Sequence, residues 1–147
     1  MTRQGAATKG EPFSIRLSKA TDQFVSDEAR RTKRSKSAIV EGLTEEAARI
    51  RRFPGIGFRG SDAARRAWVI GSGQDVWEIV EGYRDYGSIE TVLVETEISE
   101  GHLRLALAYA ETYPEEIDEA VAENRRPVEE WRRLYPFIGV VEVEPEA

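Results

Sequence analysis

Cysteine is absent from this 147-residue chain, histidine occurs once, at His102, and lysine only four times. Without thiols there is no disulfide framework and no thiolate metal site, and nothing argues for secretion. A lone histidine with no cysteine to join it makes neither a metal-ligand set nor a nucleophile pair. The many carboxylates show no recognisable acid–base pair. Gly71-Ser72-Gly73 precedes a helix but lacks the lysine and spacing of a phosphate loop, so it reads as a plain turn. Apolar residues never run long enough to span a membrane, and the N-terminus has no signal-peptide core. These absences lead us to expect a cytoplasmic protein that is not an enzyme and needs no cofactor or metal.

What is present is charge, and it is unevenly placed. The net charge of −6 combines 21 Lys/Arg with 27 Asp/Glu. Residues 1–52 carry 12 cations against 7 acids, whereas residues 53–147 carry 9 against 20. Opposed halves suggest two partners, one anionic and one basic, although charge of either sign also serves solubility. The length suits one modest domain or two small ones.

Residues 1–11 are polar and read as a mobile arm. Phe13, Ile15 and Leu17 alternate with Ser14, Arg16 and Ser18, the period of a half-buried strand over residues 13–17. Ser18 is placed to cap a helix to about Thr32, with Ala20, Phe24, Val25 and Ala29 on its inner side. Lys33-Arg34 makes the turn. Ser35 then caps a second helix to about Arg51, with Ile39, Leu43, Ala47 and Ile50 as its core stripe. No second strand appears before Pro54, and one strand cannot satisfy its own edges. Pairing with the same strand of a second copy solves this, giving a two-stranded ribbon backed by four helices, of a width that fits the DNA major groove.

On such a ribbon Ser14 and Arg16 lie opposite the apolar face, able to reach base edges or phosphates; the plainer reading is solvated surface. Arg34, Ser35, Lys36 and Ser37 surround the start of the second helix, where free N–H groups attract a phosphate beyond ordinary capping. Together these features resemble the ribbon-helix-helix repressors over residues 12–51. The resemblance implies an intertwined dimer, base contacts from Ser14 and Arg16, and a backbone grip by Ser35 and Lys36. One departure is Lys33, at a turn position commonly held by glycine.

Phe53-Pro54-Gly55-Ile56-Gly57 marks a boundary, since proline disfavours helix at Phe53 and the glycines open a turn. Residues 57–59 and 65–70 form a plausible hairpin across Gly60-Ser61-Asp62. Helices follow over residues 75–86, 88–94 and 99–112, the last two capped by Ser88 and Ser99. Pro114 and Pro127, each followed by acids, open two more, the final one running towards Leu134. The tail from Phe137 to Glu144 is apolar, β-prone and acid-tipped. Overall the fold class is mainly α with short β.

Residues 53–56, 65–73, 75–80 and 105–110 (FPGI, RRAWVIGSG, DVWEIV and LALAYA) resemble the domain of unknown function family 433. That family is often the antitoxin of VapBC-type toxin–antitoxin pairs, beside a PIN-domain ribonuclease. The resemblance covers about residues 53–126 and implies a β-hairpin followed by a helix-turn-helix-like bundle. The would-be recognition helix opens Ser99-Glu100-Gly101-His102 behind Glu90, Glu95 and Glu97, acids that repel phosphate, so this half reads as a protein-binding surface.

The candidate partner-binding segment is the C-terminal helix and tail, residues 127–147. Trp131, Leu134, Tyr135 and Phe137 are residue types that dominate interfaces. Arg132-Arg133, like Arg125-Arg126, either complements a helix dipole or offers guanidinium groups to an acidic nuclease site. Val140, Val141 and Val143 could add a strand to a partner's edge, or pair with the protein's own hairpin near Ala67–Ile70. We therefore expect an antitoxin and autorepressor that binds operator DNA and neutralises a PIN-type ribonuclease as a homodimer or higher oligomer. The rival expectation is a stand-alone regulator whose second domain senses a ligand or oligomerises.

Overall fold

Ser18 opens the first helix by accepting a hydrogen bond at its Oγ from the Thr21 N–H, 3.3 Å away. Helix α1 spans Lys19–Thr32 and stops where Lys33 turns left-handed at φ 55°, its N–H returning to the Ala29 carbonyl. Ser35 Oγ accepts from the Ala38 N–H at 3.1 Å and starts α2, Lys36–Arg52. The computed structural model describes residues 9–61, 65–137 and 139. It divides into two compact units, Met1–Thr44 and Glu45–Ala147. The division falls inside α2 rather than at the Phe53–Gly57 turn, because the end of α2 holds second-unit groups: Glu46 pairs with Arg65, and Arg49 with Glu116.

Within one chain, residues 13–17 and the expected inner stripes of α1 and α2 are left largely uncovered. Residues 13–17 form no strand, because among the described residues no chain segment lies alongside to pair with them. The expected inner stripes are also largely exposed: Val25 and Ile39 are buried, but Ala20, Phe24, Leu43, Ala47 and Ile50 are not. The unit of residues 1–44 is too small to enclose the apolar faces of its helices, and Ala47 and Ile50 already belong to the second unit.

In the second unit, Ile56–Arg59 (β1) and Arg66–Val69 (β2) pair antiparallel, with Ile56 opposite Val69 and Arg59 opposite Arg66. Their inward residues Ile56, Ala67 and Val69 are buried. Five helices follow: α3 (Val76–Tyr86), α4 (Ile89–Glu95), α5 (Glu100–Thr112), α6 (Pro114–Asn124) and α7 (Val128–Leu134). Ser88 and Ser99 cap α4 and α5 as the sequence predicts, and Pro114 is the first residue of α6. Val76, Ile79 and Val80 of α3 join Leu103, Ala106 and Tyr109 of α5 and Ile117 and Val121 of α6 in one core. Helix α7 buries no residue.

Gly71-Ser72-Gly73 is a turn, with both glycines at positive φ and Ser72 Oγ donating to the Val69 carbonyl at 2.7 Å. This turn blunts the outer edge of β2, because the Val69 N–H is also taken, by the Gln74 carbonyl at 3.1 Å. A tail strand paired there would have to displace these bonds. Val140, Val141, Val143, residues 1–8 and Asp62 lie outside the described residues. No described helix is long and apolar enough to cross a membrane.

Candidate functional site

The DNA-facing residues expected from sequence fall in two places in the first unit. Ser14 and Arg16 are exposed on the segment before Ser18. Phe13 and Ile15, which alternate with them, are 84% and 55% exposed. Arg34, Ser35, Lys36 and Ser37 form the second place, all exposed around the start of α2. Ser35 spends its oxygen on the Ala38 N–H, leaving the backbone donors of Lys36 and Ser37 at the helix mouth.

Five of the seven residues from Arg30 to Lys36 are cationic. Arg30 pairs with Asp27 at 3.1 Å and Arg31 with Glu28 at 2.8 Å. Lys36 Nζ lies 2.7 Å from Asp22 Oδ1 on the first turn of α1. Lys33 and Arg34 have no ion pair among the described residues. The left-handed turn places these cations beside the α2 N-terminus. There cationic side chains and the backbone donors at the start of α2 lie close together.

The candidate partner segment is built on α7. Trp131 stacks on Tyr135 with ring centroids 5.5 Å apart, and Phe137 meets Tyr135 edge-on at 6.2 Å. Arg126 lies over the Trp131 ring at 5.3 Å. Phe137 is 82% exposed, and Leu134 and Tyr135 are exposed beside it. Arg132 and Arg133 are exposed on the same helix, Arg133 lying 3.9 Å from Glu130. Arg125 and Arg126 are instead engaged within the chain. Arg125 bridges Glu81 at 2.6 Å and Asp85 at 2.7 Å on α3, which raise its pKa, and Arg126 pairs with Glu123. An open depression of about 430 Å³ at the α6–α7 junction has charges of both signs along its wall, including Glu119, Glu123, Arg125 and Glu130.

Two partly buried polar clusters escaped the sequence reading. Asp75, 1% exposed at the N-terminus of α3, accepts from Arg59 at 2.7 Å and Trp77 Nε1 at 3.3 Å, and pairs with Arg66 at 3.1 Å. It ties both strands of the hairpin to α3. Burial, reinforced by the Asp75 charge, raises the pKa of nearby Glu78. In the second cluster, Arg49 donates to the Tyr109 hydroxyl at 2.8 Å, pairs with Glu116, and covers the Tyr113 ring at 3.9 Å. Burial pushes the Tyr109 phenol well above its ordinary pKa, partly countered by Arg49. Burial alone would lower the Arg49 pKa, but bonds to Glu45, Tyr109 and Glu116 outweigh it. The only available signals were an acid at a helix start and a tyrosine inside an apolar stripe.

Neither cluster has an unsatisfied buried polar atom. Among the described residues no group of three or more His, Cys, Asp or Glu is arranged to hold a metal ion. Comparison with protein-family models, with curated proteins and with solved structures finds no match for this chain.

Proposed function

We propose that this protein is a dimeric DNA-binding antitoxin and autorepressor of the ribbon-helix-helix type, whose acidic second unit neutralises a PIN-type ribonuclease. The observation that supports the reading is the exposed apolar segment ahead of α1, with Phe13 and Ile15 left uncovered among the described residues. Pairing of residues 13–17 with the same segment of a second copy gives each strand its hydrogen-bonding edge and covers Phe13, Ile15 and Phe24 together. It also sets Ser14 and Arg16 on the outer face of the ribbon, and the cationic corner at Arg34–Ser37 beside it. In the second unit the hairpin and helices, read as a helix-turn-helix-like bundle, serve as a platform for the exposed aromatic group on α7.

The DNA half is tested on the full chain with a duplex carrying its own upstream region. Arg16→Ala is expected to lose specific binding at about 1–3 kcal/mol per missing base contact, with the dimer intact. Lys36→Ala weakens binding to all sequences and lowers the salt dependence. Binding by Arg16→Ala equal to the parent's would reduce the outer strand face to plain solvated surface.

The toxin half is tested by deleting residues 131–147. Because α7 contributes nothing buried, circular dichroism should report a folded remainder. Growth rescue on coexpression with a PIN-type ribonuclease encoded beside the gene is expected to disappear. Full protection by the truncated chain would remove α7 and the tail from the interface. If no such ribonuclease is encoded beside the gene, that counts for the stand-alone regulator.

A further inference from the structure

Lys36 stands where a duplex phosphate would approach the mouth of α2, yet its ammonium is already held by a carboxylate. Asp22 Oδ1 lies 2.7 Å from Lys36 Nζ, and the two side chains are 52% and 53% exposed. Asp22 belongs to the first turn of α1, fixed by its N–H bond to the Ser18 carbonyl at 2.8 Å. Among the five cations from Arg30 to Lys36, the Arg30 and Arg31 pairs are with acids three residues away on their own helix. The Lys36 pair is different: it reaches from one helix to another and sits at the helix mouth itself.

We propose that Asp22 acts as an internal stand-in for a DNA phosphate, a brake that weakens the grip of Lys36 on generic duplex. This inference rests on the DNA-binding reading above. A carboxylate and a phosphate oxygen compete for the same ammonium, so each phosphate bound at Lys36 must first displace Asp22. Asp22 also adds a fixed negative charge where the backbone would lie. An exposed ion pair is weak enough to be exchanged when base contacts seat the strand, and strong enough to reduce binding where they do not. The consequence is a larger ratio of specific to generic affinity, the quantity that matters against a genome of competing sites.

The test uses the full chain and a 30-base-pair duplex of mixed sequence, with binding measured across a salt series. Asp22→Asn keeps the side-chain shape and removes the charge. It is expected to bind this duplex roughly tenfold tighter per dimer, with the slope of log affinity against log salt steeper by about two, one phosphate per protomer. Tenfold is about 1.4 kcal/mol per dimer. Lys36→Ala separates the pair from a general charge effect: it should cost clearly more affinity in the Asp22→Asn background than in the parent. Thermal melting of each variant checks that α1 is intact. If the parent fails to bind any duplex, the DNA-binding reading fails and the brake with it. If the parent binds but Asp22→Asn shows the same affinity and slope, or a gain that Lys36→Ala does not reduce, the brake alone is overturned.

Discussion

Asp75→Ala is expected to destabilise the second unit by about 2–4 kcal/mol, because Asp75 is the buried charged side chain among the described residues. The carboxylate is 1% exposed and its three partners come from both sides of the hairpin–helix junction. Its removal leaves the Trp77 indole N–H without an acceptor and frees Arg59 and Arg66 from the charge that gathers them. Both arginines are partly exposed and can turn to water, which keeps the cost below that of a fully buried orphan charge. Arg59 would also lose its position over the Trp68 ring, 4.8 Å away. Urea unfolding of the full chain, followed by tryptophan fluorescence, measures this as a lower midpoint at unchanged slope. All three tryptophans lie in the second unit, so the signal reports on it. A loss under about 0.5 kcal/mol, the range of ordinary surface substitutions, would mean that Asp75 does not hold the hairpin.

Ile15→Asp carries the second large effect, and it falls on assembly. In the proposed ribbon two copies of Ile15 are covered, one from each strand, alongside Phe13 and Leu17. A carboxylate placed there has no partner, and burying it would cost several kcal/mol per copy. Association should weaken by at least about a thousandfold, equivalent to about 4 kcal/mol. The second-unit fluorescence transition should not change, because Ile15 lies in the other unit. A dimer unaffected by Ile15→Asp would place the contact between copies elsewhere. Arg16→Ala, one residue further on and on the opposite face, is the matched control.

Elements governed by short-range bonds were readable from sequence. Ser18, Ser35, Ser88 and Ser99 each accept from an N–H three residues ahead, so their caps and helix starts could be assigned by spacing alone. On α3 and α5, Val76, Ile79, Val80, Leu103 and Ala110 face a core supplied within one chain. The α1 and α2 stripes follow the same periodicity but remain largely uncovered, because periodicity identifies an apolar face and not what covers it. Asp75 and Arg49 were illegible for a different reason. Their partners are 16 and 67 residues away, at Arg59 and Glu116, and helix-start or helix-end chemistry explained each residue equally well. Arg125 was similarly open to two readings until Glu81 and Asp85 were seen to hold it. The candidate DNA corner at Arg34–Ser37 was legible because it is contiguous in sequence. The pairing of Lys36 with Asp22, fourteen residues back across a turn, was not.

Sedimentation of the full chain at micromolar concentration, beside Ile15→Asp, tests the central claim most directly. The account predicts that the parent sediments at twice the 16.6 kDa chain mass and that Ile15→Asp sediments at the mass of one chain. A folded parent protein that remains a 16.6 kDa monomer would contradict it.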